Sequence, residues 1–87
     1  VNGVPLAALA EALALLDVAS EYAYSPAAAY AAVLDRLAGQ DEDRVRATVA
    51  ALAGLVVWRA RHRGDESALA EWVLRMRCEL PGWRYGP

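Results

Sequence analysis

The sequence predicts an all-α fold: a single compact domain, four-helix bundle-like with short loops, over residues 1–80, followed by a C-terminal tail at 81–87. Three observations predict it. Apolar residues recur at three- and four-residue spacing in four stretches. No segment alternates with the period of two expected of a half-exposed strand. Proline, glycine and short polar residues stand where those stretches begin and end.

The first helix starts near Pro5, which is preorganised for a first turn, and runs to about Ala23. Leu6, Leu9, Leu13 and Leu16 make its expected core stripe, and Leu15, Val18 and Tyr22 widen that stripe towards a second face. Glu11, Asp17 and Glu21 are expected on the wet side. Ser25-Pro26 opens the second helix, because serine accepts from orphan amides and proline at the first position wastes no donor. That helix spans about Pro26 to Ala38, offers Tyr30, Val33, Leu34 and Leu37, and ends at Gly39.

The third helix begins around Asp41. Asp41, Glu42 and Asp43 oppose the positive end of its macrodipole, and Arg59, Arg61, His62 and Arg63 sit at the negative end before Gly64. Val45, Val49, Leu52 and Val56 form one seam, while Leu55, Val57 and Trp58 lie off it, so several sides of the second half need cover. Gly54, four residues after Ala50, offers a flat place for a close helix crossing. The fourth helix, about 65 to 80, presents Leu69, Trp72, Val73, Met76 and Leu80 on one face and Glu71, Arg75 and Glu79 on another, before Pro81-Gly82 stops it. Trp83 and Tyr85 in the tail suggest that the tail docks.

The size of the chain constrains its function. A domain of 87 residues buries only about 60% of the surface its unfolded form exposes, so a second copy or a protein partner is expected to complete the core. One cysteine, Cys78, and one histidine, His62, supply neither a disulfide framework nor a closed zinc site, and a cytoplasmic, reducing compartment is expected. The segment Val1-Asn2-Gly3-Val4-Pro5 lacks the positive charge of a leader peptide, and the most apolar run, Val49 to Trp58, is about half of a membrane span. Lysine, isoleucine and phenylalanine are absent while alanine, leucine and arginine abound. Codon bias in a G+C-rich genome accounts for that, so the arginine content is discounted as a functional signal.

The net charge of −2 hides a dipolar chain. Through Asp43, seven carboxylates face Arg36 alone, a net of −6, whereas the remainder carries eight arginines against Asp65, Glu66, Glu71 and Glu79, a net of +4. Either the basic half meets an anionic partner, or each cluster matches a helix dipole and the two halves neutralise one another within a bundle or across a dimer. The second explanation is preferred, because every cluster has a helix-terminus role.

Nucleic-acid chemistry has two candidates. Leu34, Ala38, Gly39 and Val45 fall at helix-turn-helix positions, but Gln40 and Thr48 stand where apolar residues are usual, and Asp41, Glu42 and Asp43 would meet phosphate. The better candidate is Trp58-Arg59-Ala60-Arg61-His62-Arg63, with Arg75 and Arg77 as further anion contacts, since arginines bind phosphate and an indole stacks on a base. Catalysis finds little material. His62 has no serine or cysteine placed for it to activate, Cys78 lies at the wrong end of a helix dipole for a thiolate, no Glu-x-x-His pair marks a di-iron bundle and no glycine-rich loop marks a phosphate cradle. No catalytic residue, cofactor or metal is assigned.

The expected function is therefore that of a small non-enzymatic interaction or regulatory protein that self-associates, as a homodimer, through apolar helical faces. Leu55, Trp58, Trp72, Met76, Trp83 and Tyr85 are its expected interface, since tryptophan, tyrosine and methionine are enriched where proteins meet. The alternative is a small nucleic-acid-binding regulator using Arg59, Arg61, His62, Arg63, Arg75 and Arg77.

Overall fold

The computed structural model describes residues 3–85, and side chains as far as Gly82. The fold is all-α, with helix packed on helix and no strand among the described residues. Four helices, α1 (Leu6–Ser20), α2 (Pro26–Leu37), α3 (Glu42–His62) and α4 (Glu66–Glu79), are joined by connections of three to five residues and followed by a 3₁₀ helix, η1 (Leu80–Tyr85). The chain divides into two compact units, Val1–Leu55 and Val56–Pro87, with the division falling inside α3.

Local chemistry sets the helix boundaries. Ser25 takes an extended backbone conformation and its Oγ accepts from Ala28 N at 3.2 Å, with Pro26 in the first turn, as the dipeptide predicts. Asp41 Oδ1 accepts from Asp43 N at 2.9 Å ahead of α3. α3 ends in a Schellman turn: Asp65 N donates to Ala60 O at 2.9 Å and Gly64 N to Arg61 O at 3.1 Å, with Gly64 at φ 72°. α1 stops at Ser20, short of the expected Ala23, and Tyr22 and Tyr24 lie in the turn beyond it with ring centroids 6.2 Å apart. Where the sequence suggested a plain tail after Pro81, the backbone continues as η1.

In the first unit α1 packs on α2, and a small core forms from Ala8 and Ala12 of α1 and Ala51 of α3, with Val4, Leu9, Leu52 and Leu55 partly buried against it. The face of α1 that is buried is therefore Ala8, Glu11, Ala12 and Leu15. This corrects the expectation for α1 in part, since Leu15 is buried and Leu9 half-buried as expected. Leu6 is 81% exposed, and Leu13 and Leu16 are exposed as well, whereas Glu11, expected on the wet side, is only 8% exposed. Alanines let helix backbones approach closely, and the glutamate is tolerated there because it is paired.

Its partners come from the end of α2 and the connection to α3. Arg36 donates Nε to Glu11 Oε2 at 2.9 Å and Nη2 to Oε1 at 3.2 Å, and Gln40 Nε2 donates to Oε2 at 3.2 Å and to Arg36 O at 3.1 Å. These bonds hold the Glu11 carboxyl below the usual carboxylate range: the Arg36 bond acts most, the Gln40 bond next, and burial opposes both. Arg36 is raised in turn by Glu11.

On α3 the buried positions are Thr48, Ala51 and Ala60, whereas Val49 and Val56 of the expected seam are exposed. Thr48 satisfies its hydroxyl inside the helix by donating to Arg44 O at 2.8 Å. α2 buries no residue, and Tyr30 and Leu34 are exposed. Among the described residues nothing lies within 4 Å of where a Cβ of Gly54 would stand, so none of them makes the close helix crossing expected there.

Candidate functional site

The second unit holds most of the residues that the sequence marks as functional. α3 delivers Trp58, Arg59, Arg61, His62 and Arg63 at its basic end, and the Schellman turn leads directly into α4, which delivers Trp72, Arg75, Met76 and Arg77. α4 buries none of its residues. Trp72 is 54% exposed, Val73, Leu74 and Leu80 are exposed, and Leu69 and Met76 are half-buried. Apolar side chains are therefore exposed along the length of α4 and just beyond it.

Several concavities lie in the second unit. Val56 and Arg59 of α3, with Arg63 and Asp65 of the turn, face Leu69 and Trp72 of α4 across an open cleft of about 540 Å³. Trp72, Val73, Met76 and Leu80 line a groove of about 340 Å³ that is apolar apart from Arg77. Glu66, Leu69, Ala70, Val73, Leu74 and Arg77 line a third, of about 440 Å³, along another side of α4. At the end of α3, Trp58 and His62 stack with ring centroids 5.1 Å apart and planes 10° from parallel, and Arg61 joins them around a hollow of about 290 Å³.

The structure thus groups Arg59 and Arg63 with Trp72, Arg61 and His62 with Trp58, and Arg77 with Trp72 and Met76. Arg75 is exposed on α4 outside these groups. Leu55 is set apart from them, in the first unit, partly buried against the alanine core. The side chains of Trp83 and Tyr85 lie outside the described residues. Leu74 and Ala70 also line the third groove. Leu74 stands off the Leu69–Trp72–Met76 stripe that helical periodicity picks out, and a wider apolar arc on α4 is the signal in the sequence that points to it.

The acidic end of α3 is neutralised locally. Arg46 Nη2 meets Glu42 Oε1 at 2.7 Å and Arg46 Nη1 meets Asp43 Oδ1 at 3.8 Å. Cys78 is free and exposed. Among the described residues no three of histidine, cysteine, aspartate and glutamate gather as metal ligands would, and no helix is long and apolar enough to cross a membrane. The chain matches no protein-family model, no curated protein and no solved structure.

Proposed function

We propose that this chain is a small non-enzymatic interaction module, of regulatory type, that self-associates as a homodimer through apolar helical faces of its second unit. The observation that carries the reading is that α4 buries no residue while it presents Trp72, Val73 and Leu74 to solvent, with Leu80 exposed just beyond its end. Removing such a face from water gains roughly 25 cal/mol per Å², and tryptophan and methionine are the side chains that anchor interfaces. A reducing, cytoplasmic setting belongs to the same reading, supported by the exposed free thiol of Cys78.

Sedimentation equilibrium is the test. The wild type should be dimeric at high micromolar concentration, and Val73→Glu should shift it to monomer while far-UV circular dichroism stays helical, because Val73 is exposed and lines two of the apolar grooves on α4. A wild type that sediments as a monomer throughout overturns the reading.

One observation favours a second reading. The exposed Trp58–His62 stack beside Arg61 is a planar aromatic platform next to a fixed positive charge, the combination that holds single-stranded nucleic acid. Binding of a labelled single strand that weakens steeply with salt and is lost in Trp58→Ala would support it, and absence of binding at low salt removes it.

A further inference from the structure

We propose that α4 pairs with the α4 of a second copy, antiparallel, across the groove lined by Glu66, Leu69, Ala70, Val73, Leu74 and Arg77. This rests on the self-association reading and specifies its interface. The groove has an acid at one end and a base at the other, with four apolar residues between them. Leu74 is 63% exposed, Val73 is exposed, and Ala70 leaves room for a facing backbone.

A surface of this kind is complementary to itself under a two-fold rotation that reverses the helix. Pairing Glu66 with the second copy's Arg77 sets a register in which Leu69 meets Leu74 and Ala70 meets Val73, and the two-fold axis repeats each pair once more. Every position in the groove then finds a suitable partner: large apolar against large apolar, small against β-branched, carboxylate against guanidinium. Parallel pairing along the same face places Glu66 against Glu66 and Arg77 against Arg77. The charge layout therefore selects the antiparallel arrangement, as end charges do in helical pairs. Each charge also suits its own helix, Glu66 in the first turn and Arg77 in the last, so the pairing asks for no charge that the isolated helix disfavours.

A charge swap read by sedimentation equilibrium tests the register. Glu66→Arg creates two Arg–Arg contacts and Arg77→Glu two Glu–Glu contacts, so each should weaken the dimer about tenfold or more. The double variant E66R/R77E restores opposite charges in the same register and should recover most of that loss, with helicity followed by circular dichroism. Cysteine pairing supplies a readout that is independent of stability. In a Cys78→Ser background, a mixture of Ala70→Cys and Val73→Cys chains should oxidise chiefly to the mixed dimer. Preferential Ala70→Cys homodimers would mean parallel pairing and would overturn the proposal. A stable wild-type dimer indifferent to both charge changes would place the interface elsewhere, on the Trp72–Met76 groove or under the tail, and would leave self-association standing. A monomeric wild type would remove both.

Discussion

Arg36 grips Glu11 with two of its nitrogens, at 2.9 and 3.2 Å, and thereby ties the middle of α1 to the end of α2 across 25 residues of sequence. The carboxylate is nearly buried and the guanidinium is partly in water. Removing the arginine alone would leave a charge without its partner in a tightly packed place.

The first prediction follows from that pair. A free glutamate titrates near about 4.3, and Glu11 is held lower in the folded chain. Its contribution to stability is therefore complete above the free value and is lost as pH falls through the folded one. Thermal melts followed by circular dichroism should show the first unit weakening in acid. Glu11→Gln should be less stable than wild type at neutral pH and should lose part of that acid sensitivity. A Glu11→Gln protein with the full wild-type acid response would show that other carboxylates set it.

A second prediction concerns the alanine core. Ala12 is fully buried and Ala51 almost so. Ala12→Leu forces three further carbons into a space closed by helix backbones and should cost about 1–3 kcal/mol. Urea denaturation would measure this against Ala31→Leu, at an exposed position of α2, where a change within about 0.5 kcal/mol is expected. Equal behaviour of the two variants would mean that α1 does not pack by that face.

Two glycines give a third, because they have the same space and opposite backbones. A Cβ meets nothing within 4 Å at Gly54 or at Gly64, but Gly64 lies at φ 72° in the Schellman turn whereas Gly54 is inside α3. Gly54→Ala should stabilise by about 1 kcal/mol through helix propensity. Gly64→Ala should cost about 1 kcal/mol, since the left-handed region disfavours a side chain. The two variants should displace the urea midpoint in opposite directions.

The helices and their ends were legible from residue types because capping is local: Ser25 with Pro26, Asp41 ahead of α3, and Gly64 after it each act within a few residues. Which face of each helix turns inward was not legible. Of the stripe Leu6, Leu9, Leu13 and Leu16 only Leu9 packs against the core, and the buried face runs through Ala8, Glu11, Ala12 and Leu15 beside it, since close approach of backbones depends on what packs opposite. Glu11 read as a surface residue because the arginine that compensates it lies on another helix, where periodicity gives no warning. At the candidate site, Trp58, Trp72, Met76 and the arginines between them were identifiable from composition alone. The Glu66–Arg77 groove required the helix to be seen in three dimensions, because in the sequence Glu66 counts only towards the charge balance and Arg77 only as an anion contact.

A core of alanines also has a calorimetric consequence. The heat-capacity change of unfolding follows the apolar area newly exposed to water, and Ala8, Ala12 and Ala51 expose little beyond one methyl each. The first unit should accordingly melt with a small heat-capacity step and a broad, flat stability curve. A larger negative heat-capacity change should accompany the joining of two chains, where leucine and valine side chains of α4 leave the water.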